Sequence, residues 1–140
     1  MRLLITIAAG LALTVAGLAQ DQKTQIKRVP AQGSNPGSGV EMFKQYCAPC
    51  HGLDGKGAGP AAAALKKAPA DLTLLASKNK GKFPGAMVNN AIVGAEIAAS
   101  HGSRDMPVWG DIFKSLAGGQ MIAEMRVKNL TSYVESLQQK

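Results

Sequence analysis

Cys47-Ala48-Pro49-Cys50-His51 is the stretch of this 140-residue chain that decides its fold. Its two cysteines are the only ones in the chain, and a histidine directly follows the second. Three kinds of chemistry use such a pair. A thioredoxin-like redox pair needs a preceding strand in a βαβ unit, and no strand-like alternation surrounds this motif. A four-ligand zinc site needs two more cysteine or histidine ligands, and only His101 is left.

The third possibility, C-x-x-C-H, is the attachment sequence of haem c, and it predicts one covalently bound haem. The thiols of Cys47 and Cys50 would add across the two haem vinyl groups to form two thioethers, and His51 would place its imidazole under the iron. The composition agrees with a bound haem, because 46% of the residues are hydrophobic but only 4% are aromatic. A core so poor in large rings is thin unless another apolar body, such as a haem, fills it.

The first nineteen residues have the features of an export signal. Arg2 supplies a short basic start, residues 3–18 are almost entirely apolar, and Gly17-Leu18-Ala19 offers small residues to a signal peptidase. We therefore expect residues 1–19 to be a signal peptide and the protein to be periplasmic. An uncleaved membrane anchor is the alternative, although the apolar run is shorter than the about 20 residues that a membrane span needs.

The rest of the chain divides into a lead-in and one domain. Residues 20–38 are polar and rich in glycine and serine, so we expect them to be flexible. Apolar residues at helical spacing in residues 39–140 predict an all-α domain with three main helices. These helices are expected from Ser38 to about Ala48, from Phe83-Pro84 towards Ala95, and from about Met121 to Gln139. The apolar stripes of the last two helices include Met87, Met121 and Met125, which we expect in the core.

A glycine-rich segment follows the histidine, with four glycines from Gly52 to Gly59 and then Pro60. Glycine has no side chain and tolerates positive φ, so such a segment can wrap closely around a flat ligand. It is not a phosphate-binding P-loop, because the pattern G-x-x-x-x-G-K-[ST] is absent.

Met106 is the favoured candidate for the second iron ligand. It lies in a non-helical segment and precedes Pro107. Proline restricts the residue before it to extended backbone, so this loop can hold a thioether against an iron. Ligation by histidine and methionine raises the reduction potential. His101 is the alternative ligand, but the Gly102-Ser103 that follows it does not fix its approach.

Together these residues resemble a class I mono-haem cytochrome c of the bacterial type. The matching stretches occur in the family's order over roughly residues 37–140. They are Gly39-x-x-x-Phe43-x-x-x-Cys47-x-x-Cys50-His51-Gly52, Ile92-Val93-Gly94, Met106-Pro107-x-Trp109 and Leu130-x-x-Tyr133-Val134. The resemblance implies the cytochrome c fold, with three main helices around one covalently bound haem. It also implies that the first and last helices cross at right angles, where Gly39 lets them approach and where Phe43 meets the stripe around Tyr133.

The same resemblance implies roles for single residues. His51 becomes the proximal iron ligand and Met106 the distal one, while the two cysteines carry the thioethers. Pro60 resembles the proline whose preceding carbonyl accepts a hydrogen bond from the proximal histidine and orients its ring. Trp109 resembles a residue that packs beside the haem and donates a hydrogen bond to a propionate.

The ligand set implies an electron carrier rather than an enzyme, because iron with two protein ligands has no open site for a substrate. We expect a monomer that shuttles single electrons in a respiratory chain, with partners such as a cytochrome oxidase or a dehydrogenase. The net charge of +7 and several lysines near the motif favour acidic partners, although exposed lysine is also ordinary protein surface. Those lysines are Lys56, Lys66, Lys67, Lys78, Lys80 and Lys82. Nucleic acid is not an expected partner, because no basic segment is interleaved with aromatic residues.

Two other functions remain open on the sequence alone. The protein would be a haem enzyme or a gas sensor if Met106 left the iron and opened a site for a small ligand. It would be a subunit of a larger respiratory or dehydrogenase complex if it transferred electrons within a fixed assembly, and an uncleaved anchor would favour that arrangement.

Overall fold

The computed structural model describes residues 32–95, 106–116 and 118–139. All regular elements in these ranges are helical and no β-strand occurs in them, which confirms the all-α prediction. The helical elements are Gly39–Met42, Phe43–Cys47, Ala48–His51, Ala62–Ala64, Leu72–Leu74, Leu75–Lys78, Gly85–Val93, Trp109–Ser115 and Gly119–Ser136. No helix in these ranges is both long and apolar enough to span a membrane.

The first three elements are consecutive and form one N-terminal helix, residues 39–51. Ser38 caps it, because its hydroxyl accepts a hydrogen bond from the backbone N–H of Glu41 at 3.3 Å. The middle turn, Phe43–Cys47, is π-helical, a feature that often marks functional sites. The helix continues beyond the expected end at Ala48, so both cysteines and the histidine of the motif belong to it.

The N-terminal helix packs against the final helix, Gly119–Ser136. A Cβ atom on Gly39 would overlap the carbonyl oxygen of Asn129 and would lie 2.9 Å from the Cβ of Tyr133, so only glycine allows this approach. One turn later, the rings of Phe43 and Tyr133 pack against each other in a tilted arrangement, with their centroids 5.1 Å apart and an interplanar angle of 53°. The helix contact that the family resemblance implied is confirmed.

The final helix buries the apolar stripe that the sequence predicts. Leu130 is fully enclosed, and Leu137 is partly buried at the edge of the core. The buried core as a whole comprises Met42, Phe43, Tyr46, Ala48, Val88, Ile92, Trp109, Phe113, Ala123, Val127, Leu130 and Val134. It therefore lies between the N-terminal, central and final helices and the short helix Trp109–Ser115.

The central helix, Gly85–Val93, buries only Val88 and Ile92. Gly94 ends it in the left-handed conformation, at φ 80°. The prediction that three methionines lie in the core was wrong, because Met87, Met121 and Met125 are all exposed. Helical spacing places each methionine on the apolar stripe of its own helix, but these stripes are wider than the surface that neighbouring helices cover.

Residues 32–38, expected to be part of a flexible lead-in, are tied to the helices by hydrogen bonds. The carbonyl of Gln32 accepts from the hydroxyl of Tyr46, and the carbonyl of Pro36 accepts from the Nδ2 of Asn129 at 2.8 Å. The folded part of the chain therefore includes residues ahead of the expected boundary at 39. The expected signal peptide and residues 20–31 lie outside the described residues.

Candidate haem-attachment site

The two cysteines of the motif are free thiols near the end of the N-terminal helix. Cys47 closes the π-helical turn and Cys50 lies in the last turn. Burial raises the pKa of Cys47 to about 12, and the neighbouring Cys50 adds to this shift. Burial also raises the pKa of Cys50. Both side chains are therefore uncharged thiols at neutral pH, which suits them to contact an apolar group.

His51 completes the motif, and its ring is oriented by a hydrogen bond. Its Nδ1 lies 3.0 Å from the carbonyl oxygen of Ala70. Because a carbonyl oxygen only accepts, Nδ1 is the protonated ring nitrogen and Nε2 keeps its lone pair. Burial lowers the pKa of His51, and the bond to Ala70 partly opposes this shift. A neutral imidazole with a free Nε2 is the form that binds a metal.

The hydrogen-bond acceptor of His51 differs from the one that the family resemblance implied. That acceptor was expected to be the carbonyl of Gly59, which precedes Pro60. The amide of Gly59 instead points back at the helix and donates to the carbonyl of Cys50 at 3.0 Å, while its own carbonyl accepts from Ala62 at 2.9 Å. The hydrogen bond assigned to the carbonyl before Pro60 is therefore made by Ala70, and a contact of Pro60 with the haem stays a prediction.

The glycine-rich segment wraps around the end of the helix. The last four carbonyl groups of a helix have no partner within the helix, and here the segment supplies a donor for each of them. The bonds run from Gly52 to Ala48 (2.9 Å), from Ala61 to Pro49 (2.8 Å), from Gly59 to Cys50 (3.0 Å) and from Gly57 to His51 (2.7 Å). A Cβ atom on Gly59 would lie 2.5 Å from the carbonyl oxygen of Ala48, so the wrap requires glycine there. The residues that follow the motif in the chain thus hold it in a fixed position.

The segment that carries Ala70 is fixed from both sides. The amide of Leu72 donates to the carbonyl of Gly55 at 2.8 Å. The carboxylate of Asp71 accepts from the amide of Thr73 at 2.9 Å and from its hydroxyl at 2.6 Å, and these bonds lower the pKa of Asp71. Sequence reasoning missed both Ala70 and Asp71. Only the Asp71-x-Thr73 spacing, which is typical of a cap before a helical turn, was available as a signal.

Met106 lies on a different segment, whose position is set by the residues that follow it. Val108 packs against Gly94, where a Cβ atom would lie 2.6 Å from the valine Cγ1. The buried ring of Trp109 lies 5.1 Å from the ring of Tyr46, which directly precedes the first cysteine. Met106 itself is 41% exposed, so this residue is not enclosed in the protein core.

The structure thus brings Cys47, Cys50 and His51 together at one helix end and connects the Met106 segment to that helix through Trp109. Two free thiols, a neutral imidazole with a free Nε2 and an exposed thioether fit a covalently attached haem c. Iron ligation by Met106 and a hydrogen bond from Trp109 to a propionate stay predictions. His101, the alternative ligand, lies outside the described residues.

Comparison with known families agrees with this geometry. The chain carries a c-type cytochrome domain, and its chemistry is haem-based electron transfer. Residues 34–116 match the family model described as Cytochrome C oxidase, cbb3-type, subunit III, and the chain belongs to this family. The resemblance to class I cytochromes c and the fold expected from it are thereby confirmed. No curated protein and no solved structure gave a significant match.

Proposed function

We propose that the protein is a periplasmic carrier that moves single electrons between respiratory redox partners through one haem c ligated by His51 and Met106. The observation that carries this proposal is the 3.0 Å contact between His51 Nδ1 and the Ala70 carbonyl. It leaves Nε2 free on the helix that also presents Cys47 and Cys50.

Each residue of the site then has a defined part. The bound haem supplies an iron that takes up and gives up one electron. Cys47 and Cys50 tether it, each through its Sγ. His51 provides Nε2 as one ligand, and the Ala70 carbonyl keeps the ring in place and makes it more basic. Met106 would supply Sδ as the second protein ligand and thereby exclude other small ligands from the iron.

Optical spectra of the oxidised and reduced holoprotein test this assignment. We expect a low-spin spectrum with the weak far-red band of sulfur bound to ferric iron, and no change when carbon monoxide is added. Met106→Ala should lose the band and bind carbon monoxide. Met121→Ala is the matched control, because Met121 is 77% exposed on the final helix and should leave both properties unchanged. Carbon monoxide binding by the unmutated protein would contradict the carrier function and favour a gas sensor or an enzyme.

The expected acidic partners are supported by the distribution of lysines. All six lysines near the motif are exposed, and none of them forms a salt bridge with another described residue. Three of them lie in the segment 78–82, which is held in place by several local hydrogen bonds. Asn79 donates through Nδ2 to the carbonyl of Lys82 at 2.8 Å, and the amide of Gly81 donates to the carbonyl of Ala76 at 2.9 Å. A fixed cluster of positive charge steers an anionic partner towards the protein.

Electron transfer to small oxidants of opposite charge tests this surface and does not require the natural partner. Rates with ferricyanide, an anion, should fall as salt is added, and rates with a cationic cobalt complex should rise. Changing Lys78, Lys80 or Lys82 singly to Glu should weaken the salt dependence with ferricyanide. The control is Lys128→Glu, an exposed lysine on the final helix. An equal effect of both changes would show that only net charge matters.

The family match favours a second candidate, in which the protein is a fixed subunit of an oxidase complex. Fractionation of cells that express the full chain, or the chain without residues 1–19 behind a cleavable export signal, separates the two. A free carrier should be recovered in the soluble periplasmic fraction in both cases. A subunit should remain with the membranes in at least one case and should co-elute with oxygen-reducing activity.

A further inference from the structure

Arg126 is a buried cation without a counter-charge among the described residues. Its side chain is only 4% exposed. Nη1 donates to the carbonyl of Ser34 at 2.9 Å and lies 3.1 Å from its hydroxyl and 3.9 Å from the sulfur of Met42. Nε has no hydrogen-bond partner within residues 32–95, 106–116 and 118–139. The one salt bridge in the described part of the chain joins Lys114 and Asp111.

The contacts of Arg126 satisfy part of its hydrogen-bonding capacity, but none of them neutralises its positive charge. The groups that accept from it are a carbonyl, a hydroxyl and a thioether, all neutral. A buried guanidinium that lacks a carboxylate is costly for a fold. Because low-dielectric surroundings screen it weakly, its field reaches further than that of an exposed lysine.

We infer that Arg126 is an internal charge that raises the reduction potential of the haem iron. This inference rests on the haem function proposed above. Reduction adds one electron and lowers the positive charge at the iron, so a nearby buried cation favours the reduced form. The charge acts through space, and Arg126 need not contact the haem.

The helix geometry gives the scale of the effect, through the separation between the residue beside Arg126 and the expected iron ligand His51. Arg126 contacts Met42, which lies nine residues before His51 in the same helix. At 1.5 Å per residue this is an axial separation of about 14 Å. With an effective dielectric constant of about 20, a unit charge at that range shifts a one-electron equilibrium roughly three- to tenfold.

A matched pair of substitutions at Ser34 tests the charge without removing the arginine. Ser34→Asp places a carboxylate beside Nη1 and neutralises the cation, whereas Ser34→Asn has a similar shape and no charge. We expect Ser34→Asp to shift the equilibrium between the holoprotein and a reference redox dye towards the oxidised protein by about three- to tenfold. The corresponding equilibrium constant of Ser34→Asn should stay within about twofold of that of the unmutated protein. Arg126→Met should resemble Ser34→Asp, and Arg126→Lys should resemble the unmutated protein.

Lys128→Met provides the control for charge as such. It removes one positive charge two residues away on the same helix, but from an exposed side chain. Its shift should be small and should vanish at high salt, whereas the shift of Ser34→Asp should persist. Equal shifts in Ser34→Asp and Ser34→Asn, or none in either, would overturn the inference. Failure of the haem function would appear separately, as an unmutated protein without the low-spin spectrum.

Discussion

The Nδ1 atom of His51 lies 3.0 Å from the carbonyl oxygen of Ala70, nineteen residues later in the chain. The glycine-rich segment makes this distance possible. Gly57 lies directly against Pro69, the residue before Ala70, and Gly55 accepts a hydrogen bond from Leu72. The orientation of the ring is therefore set by two loop segments lying side by side. We expect a substitution that displaces either segment to change the orientation of the His51 ring.

Gly57→Ala should weaken this arrangement. Gly57 has φ +88°, and an added Cβ atom would overlap the carbonyl oxygen of Pro69. Backbone strain and the displacement of the Ala70 segment should together lower the free energy of unfolding by about 2–4 kcal/mol, measured by urea denaturation of the holoprotein. The absorption bands of the ferric iron should also change, because the ring of His51 loses its fixed orientation.

Gly81→Ala is the matched control for that substitution. Gly81 has a similar φ of +80°, but nothing lies within 4 Å of an added Cβ atom. It should show the backbone strain alone, about 1–2 kcal/mol, and leave the absorption bands unchanged. Identical losses in the two variants would mean that the contact with Pro69 does not matter.

Asp71 should make stability depend on acid pH. Its bonds to Thr73 lower the pKa of Asp71 in the folded protein below its ordinary value of 3.8. The ionised carboxylate therefore stabilises the fold fully above about pH 4, and this contribution is lost as the pH falls through the lowered pKa. Asp71→Asn should be less stable than the unmutated protein at neutral pH, and the two unfolding midpoints should converge at low pH.

Asp111→Asn serves as the comparison for this pH series. Asp111 makes only an exposed ion pair with Lys114, at 3.7 Å, and exposed pairs of this kind contribute little. Its substitution should change the midpoint less than Asp71→Asn does at neutral pH. If the difference in unfolding midpoint between Asp71→Asn and the unmutated protein stays constant down to about pH 2, the ionised carboxylate of Asp71 does not stabilise the fold.

The sequence was sufficient for the parts of the fold that depend on side-chain type and spacing. The stripe of the final helix was predicted because an apolar residue recurs at every third or fourth position. The approach of Gly39 to Tyr133 was predicted because the family resemblance carries it as a motif. Three attachment residues lie together because they are separated by only a few positions within one helix.

Other features of the site and the fold could not be predicted from the sequence. The acceptor of the His51 hydrogen bond is a backbone carbonyl, which any residue supplies, so Ala70 could not be distinguished from Gly59. The exposure of Met87 and the burial of Arg126 depend on how far neighbouring elements extend over each helix. Periodicity identifies the face of a helix but does not identify what covers it.

Gly39→Ala should separate the N-terminal and final helices. The added methyl group would overlap the Asn129 carbonyl and crowd the Cβ of Tyr133, and both belong to a packed helix that cannot move locally. We expect a loss of about 1–3 kcal/mol in the free energy of unfolding, the usual cost of overpacking. Gly33→Ala is the control, because nothing lies within 4 Å of a Cβ atom there. A loss below about 0.5 kcal/mol in Gly39→Ala would show that the helix contact is looser than described.

Two substitutions of Trp109 distinguish its packing role from its predicted hydrogen bond to a haem propionate. Its ring lies 5.1 Å from that of Tyr46 and 5.6 Å from that of Phe113. Trp109→Phe keeps a ring in this cluster and should cost about 1–2 kcal/mol, whereas Trp109→Ala removes it and should cost about 3–5 kcal/mol. Trp109→Phe also removes the indole N–H. If that N–H binds a propionate, the reduction potential of Trp109→Phe should depend on pH differently from that of the unmutated protein. An unchanged pH dependence would limit Trp109 to holding the Met106 segment against the attachment helix, which is the role that its contacts describe.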